Sequence, residues 1–111
     1  KKLAIDTAFR DYVLDQLKGI GPFETKNMFG GTAVLINGSA FAKIKHGALW
    51  LKVDEKNIED FIKEGMPQYT YGKDNSRKLN FYETPAEVLE DRDILIRWAT
   101  KASEAAVRSK K

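Results

Sequence analysis

Between residues 32 and 53 the chain carries two tight-turn dipeptides, Asn37-Gly38 and His46-Gly47, each flanked by short runs rich in apolar residues. Asn-Gly is the strongest short hairpin signal, because both residues tolerate the positive φ that a two-residue turn of matching twist requires. Three strands therefore follow one another at 32–36, 39–45 and 48–53. Connections this short force an antiparallel meander, since parallel neighbours need a crossover of a dozen or more residues.

The flanking segments supply helices. Ile5, Phe9, Tyr12, Val13 and Leu17 follow helical spacing over 6–18, with Asp6 as a cap, an Asp6/Arg10 pair on the wet side and Gly19 at the end. After the meander, Asn57 can cap a short helix whose inner face is Ile58, Phe61 and Ile62, and Gly65 and Pro67 stop it. Two more strands, near 68–71 and 78–82, flank the polar loop 72–76. Thr84-Pro85-Ala86-Glu87 has the form of a capping box with proline at the first helical position. It opens a helix that Asp91 interrupts, and a last helix over about 93–106 buries Leu95, Trp98, Ala99, Ala102 and Ala106. The order α-β-β-β-α-β-β-α predicts an α+β domain, an antiparallel sheet with helices packed on one face.

At 111 residues the chain fits one domain, with a core over about 6–106. No apolar run approaches the roughly 18 residues that cross a membrane, no signal peptide is evident, and the absence of cysteine excludes a thiolate metal site and suits the cytoplasm. The net charge of +3 invites a nucleic-acid reading, but Lys1, Lys2, Lys110 and Lys111 account for it: the other fifteen Lys and Arg face sixteen Asp and Glu. The basicity sits at the ends, which read as solvated, flexible tails.

Met28-Phe29-Gly30-Gly31 sets two glycines where a strand should begin. A phosphate cradle would need a helix N-terminus directly behind them, and strand pattern follows instead. The expectation is a bulge or bend in the first long strand that lets a helix pack close. Leu17-Lys18-Gly19-Ile20-Gly21-Pro22 has the look of a DNA-binding glycine hairpin but lacks the second helix, and reads as a helix terminator.

Two-residue loops at both turns set Val34 opposite Phe41 and Lys43 opposite Trp50. One face then carries Ala33, Leu35, Ala40, Ala42, Ile44, Leu49 and Leu51, for the helices to cover. The other carries Thr32, Val34, Phe41, Lys43, Trp50 and Lys52. Val34, Phe41, Lys43, Trp50 and Lys52 are the candidate partner surface, since aromatics are enriched at protein interfaces. The same residues could stack bases, which makes a nucleic-acid-binding domain using this face and the basic termini the alternative. Burial under a loop or helix would instead make Phe41 and Trp50 core.

No catalytic constellation emerges. His46 stands alone in a turn with no second metal ligand, Glu59-Asp60 and Glu90-Asp91 are adjacent carboxylates whose side chains diverge, and Tyr69, Tyr71 and Tyr82 read as half-buried strand aromatics. No metal or cofactor is expected.

Several motifs together resemble a known family. Met28-Phe29-Gly30-Gly31, the Asn37-Gly38 turn with Phe41, Leu49-Trp50-Leu51-Lys52, Gly65-Met66 with Tyr69 and Tyr71, and Tyr82 with Pro85, Val88-Leu89 and Trp98 are similar to the TfoX N-terminal domain of the Sxy/TfoX regulators of bacterial natural competence. The likeness spans residues 9–106. It implies a secretion-chaperone-like α-β(3)-α-β(2)-α fold and a non-enzymatic role in transcription of competence genes. The family's regulators act alongside the cyclic-AMP receptor protein rather than as sequence-reading DNA binders, and carry a second, C-terminal helical domain that this chain does not show. The shared motif residues then serve structure. The expected partner is a protein, from the transcription machinery or a regulator. A homodimer is compatible with the resemblance, since related folds dimerise, though the sequence itself does not show one; no membrane partner is expected.

Overall fold

The structure, a computed structural model, describes residues 7–28 and 30–109, without the side chain of Met28. Helix α1 (Thr7–Gln16) runs into a 3-10 turn (Leu17–Ile20). Strands β1 (Glu24–Met28), β2 (Gly31–Ile36), β3 (Ser39–Lys45) and β4 (Ala48–Lys52) follow, then α2 (Ile58–Ile62). Next come β5 (Gln68–Tyr71), a 3-10 turn (Lys73–Asn75), β6 (Arg77–Glu83), α3 (Ala86–Glu90) and α4 (Arg92–Ser109). The strands make one sheet in the order β1-β2-β3-β4-β6-β5, antiparallel throughout. The expected α+β class and one-sided helix layer hold. The expected Asp6 cap and Asp6/Arg10 pair lie outside the described residues.

Both predicted hairpin turns form. Asn37 and Gly38 have φ of 52° and 80°, His46 and Gly47 of 57° and 67°, all in the left-handed region these two-residue loops require.

The sheet has one strand more than the sequence pattern suggested. β1 pairs with β2 from Glu24↔Leu35 to Met28↔Gly31. Its described side chains, Glu24, Thr25, Lys26 and Asn27, are all exposed, so no hydrophobic alternation marks it. Gly30 takes a φ of 77°, in the left-handed region. Gly31 meets a different constraint: a Cβ there would lie 2.8 Å from the Ile44 carbonyl oxygen and 3.1 Å from Lys45 Cβ. The close neighbour is strand β3, not the helix expected from the sequence.

The expected bulge occurs one hairpin later. Ile36↔Ser39 and Leu35↔Ala40 pair as expected, but Val34 faces Ala42, leaving Phe41 as an extra residue in β3. A bulge points two successive side chains to roughly the same side and changes the face of everything beyond it. Val34 and Phe41, expected on the open face, are therefore fully buried with Ala42 beneath the helices, and Thr32 is buried there too. Ala33, Leu35 and Ala40 turn to the open face instead. Burying a Val or Phe side chain stabilises by roughly 1.5–3 kcal/mol. An unbulged register would forgo that for Val34 and Phe41.

The covering layer places Val13 and Leu17 of the first helical segment, Phe61, Val88, and Leu95, Ala99, Ala102 and Ala106 of α4 against Val34, Phe41, Ile44, Leu49 and Leu51. The Leu95, Ala99, Ala102, Ala106 stripe recurs at helical spacing, and its alanines keep α4 close to β3. Gly19 also fits against α4: a Cβ there would come within 3.2 Å of Ile96. Trp98 packs edge-on against Phe61 at 4.7 Å, and Tyr82 lies 6.0 Å from Phe61. Tyr12 and Ile62, expected on inner faces, are 43% and 48% exposed.

Two caps differ from their sequence motifs. Pro85 is itself the N-cap of α3, in extended conformation, and the buried Thr84 hydroxyl makes no hydrogen bond among the described residues. Asn57 does not cap α2 with its side chain: its Oδ1 accepts from the Asp54 amide at 2.7 Å and its Nδ2 donates to the Lys52 carbonyl at 2.9 Å. It ties the exit of β4 to the start of α2.

The same junction holds the C-terminal end of α4. Arg108 donates from Nε and Nη2 to the Asp54 carboxylate at 2.6 and 3.1 Å, so Arg108 belongs to the fold rather than to a tail. This hydrogen bond is the main reason the Asp54 carboxyl is held below its ordinary value, with the Lys56 amide helping and partial burial opposing. A depressed carboxylate pKa contributes stability that is present above the unfolded value and lost as pH falls through the folded one. Arg108→Gln should therefore lower the melting temperature modestly at neutral pH. The gap to wild type should close on acidification below the folded Asp54 value, and a gap independent of pH in thermal melts would remove the pair as its cause.

Candidate functional site

The face of the sheet away from the helices carries the residues that no described element covers. Register places Lys26, Ala33, Lys43, Trp50 and Glu83 side by side across β1, β2, β3, β4 and β6. Lys52 of β4 lies opposite Phe81 of β6. Of the residues the sequence assigned to this face, Lys43, Trp50 and Lys52 are present and half-buried; Val34 and Phe41 are not.

Trp50 is fixed by two contacts. Its indole Nε1 donates to the Lys45 carbonyl at 3.1 Å, and its ring meets Tyr69 edge-on at 5.0 Å. Such edge-to-face pairs add about 0.5–1.5 kcal/mol beyond area burial. Tyr69 is 7% exposed, so this end of the face is a packed aromatic platform.

Beside it two ammoniums converge on one ring. Lys43 Nζ and Lys52 Nζ lie 5.3 and 5.2 Å from the centroid of Phe81, itself 6% exposed. A ring face attracts a cation, but two like charges over one ring repel each other. None of Lys43, Lys45 and Lys52 makes an ion pair among the described residues. Burial first, then the charges of Lys45 and Lys52, hold the Lys43 ammonium below the ordinary lysine value.

A hollow of about 470 Å³ opens on this face. β2 contributes Gly31 and Ala33, and β3 contributes Lys43 and Lys45. Tyr69 and Tyr71 of β5, with Leu79 of β6, line it from the far side of the sheet, so the face is concave. Small outward residues on β2 give the hollow depth, while the flanking strands carry long or aromatic ones.

The sequence read Tyr69 and Tyr71 as strand aromatics and family motif residues, and it did not connect them with Lys45 or Phe81. Their i,i+2 spacing was visible; the β4–β6 pairing that carries them to Trp50 is long-range and leaves no local signal. Tyr82 pairs with Leu51 and belongs to the helix-covered face. His46 is exposed in its turn, and among the described residues no three of His, Cys, Asp and Glu cluster as metal ligands. Among those residues, too, no helix is long and apolar enough to cross a membrane.

Comparison with known proteins meets this geometry from the outside. The chain is similar to the protein Sxy of Escherichia coli strain K12, with 25% identity over 97 residues that cover 86% of this chain and 46% of that protein. It thus spans less than half the length of the relative. The model of the TfoX N-terminal domain matches residues 15–106, from the end of α1 into the last turns of α4, and the chain belongs to the TfoX N-terminal domain family.

Proposed function

We propose that this domain is a non-enzymatic regulatory module, working in the cytoplasm by protein–protein contact in transcriptional control of competence-type genes. The reading is supported by family membership and by the likeness to Sxy. The observation that carries the contact surface is the set of ammoniums Lys43, Lys45 and Lys52, without an ion pair among the described residues, around a fixed tryptophan on a face that no described element covers. Aromatic anchors with charges at their margin are the composition of a protein-binding patch. The unpaired lysines favour an acidic protein partner, such as a subunit of the transcription machinery or a regulator bound to it. A second copy of this chain, bringing lysine against lysine on this face, fits less well.

Charge reversal tests this at two half-buried side chains of the open face, outside the helix-covered core cluster. Lys43→Glu with Lys52→Glu should reduce two-hybrid or co-purification signal with RNA polymerase subunits and the cyclic-AMP receptor protein of the same bacterium by about tenfold or more. Unchanged signal from a folded double variant would end the proposal for this face.

Nucleic-acid binding is the second reading, favoured by Lys26, Lys43, Lys45 and Lys52 lying with Trp50 and Tyr71 on one side of the sheet. It predicts affinity for labelled single-stranded DNA that falls steeply with salt in fluorescence anisotropy. The comparison should use a chain trimmed after Ser109, which keeps the Arg108–Asp54 pair intact.

A further inference from the structure

We propose that the hollow on the open face is a binding site for a small aromatic carboxylate, an effector-type ligand that shares Lys43 and Lys45 with the protein contact. Its volume of about 470 Å³ falls within the range of clefts that take small organic ligands, roughly 300–1,000 Å³. It is lined by Gly31 and Ala33 of β2 and by Tyr69 and Tyr71 of β5, so a flat apolar ring system finds apolar and aromatic surface there. Between them β3 supplies Lys43 and Lys45, two ammoniums with no carboxylate partner among the described residues.

The charge set selects among anions. A phosphate is held by a nest of backbone N–H groups or a helix N-terminus. Backbone groups around this hollow belong to strands β2, β3, β5 and β6, which supply neither a nest nor a helix N-terminus. A carboxylate asks for less: two oxygens can be met by two ammoniums, with a tyrosine hydroxyl in reserve. An occupant of that charge also relieves the like-charge crowding at Lys43, whose protonated form burial and its lysine neighbours disfavour.

Sodium 2-naphthoate and its neutral isostere 2-naphthamide separate charge from shape. In amide-resolved NMR titrations of the full chain, naphthoate should give saturable shifts centred on Ala33, Lys43, Lys45 and Tyr71. The amide should bind about tenfold more weakly or worse, matching the loss of one partly buried charged hydrogen bond. Lys43→Gln with Lys45→Gln should erase the preference for the anion, and Tyr71→Ala, at a side chain already 41% exposed, should weaken both probes. Equal affinity for the two probes, shifts scattered over the helical layer, or a double variant that still prefers naphthoate would each overturn the proposal. The two-hybrid assay with Lys43→Glu and Lys52→Glu uses no small molecule, so this site and the protein contact can fail separately.

Discussion

Phe41→Ala should cost the domain about 4 kcal/mol of stability, within the range of roughly 3–5 for Phe-to-Ala truncation in a core that cannot collapse around the void. Phe41 is fully buried at the bulge in β3, in one cluster with Val34, Leu95 and Ala99. The sheet fixes one side of that cavity and the alanine stripe of α4 fixes the other, so neither can close it cheaply. Were Phe41 on the open face, as an unbulged hairpin would have it, truncation would fall near the few tenths of a kcal/mol usual for surface positions. Urea unfolding at constant m-value reads the difference directly. A midpoint loss equivalent to less than about 1 kcal/mol would contradict the bulge and return Phe41 to the surface.

That one residue also marks where the sequence stopped being informative. Turn chemistry is local, and Asn37-Gly38 and His46-Gly47 announced their positive φ values without reference to the rest of the chain. Helical stripes are local too, which made Leu95, Ala99, Ala102 and Ala106 readable. A bulge is different: its benefit is burial under α4, more than fifty residues away, and nothing within β3 declares it. β1 was hidden for the opposite reason, because an edge strand with exposed polar side chains has no buried face to imprint a pattern. The candidate site suffered from both effects. Lys43, Trp50 and Lys52 followed from the second turn alone, whereas Tyr69, Tyr71 and Phe81 needed the long-range pairing of β6 with β4.

Neighbouring glycines in Met28-Phe29-Gly30-Gly31 should respond to alanine for different reasons and by different amounts. Gly30→Ala meets no atom within 4 Å, so its cost is that of a left-handed backbone at a φ of 77°, about 1–2 kcal/mol, and Gly30→Asn should recover part of it. Gly31 has no positive φ, so alanine suits its backbone but not its surroundings. The added methyl would stand 2.8 Å from the Ile44 carbonyl oxygen, a group held in the β2–β3 ladder that cannot swing aside as a side-chain tip could. Relief requires the two strands to part, and about 3 kcal/mol, the upper end of the usual overpacking cost, is expected. Amide exchange should speed at Ile44 and Lys45 in Gly31→Ala and stay unchanged there in Gly30→Ala. Because Gly31 and Lys45 also line the hollow, the same parting should weaken 2-naphthoate binding, while Gly30→Ala leaves it intact. Equal losses from the two substitutions would mean that backbone conformation alone, and not the close approach of β3, requires the glycine pair.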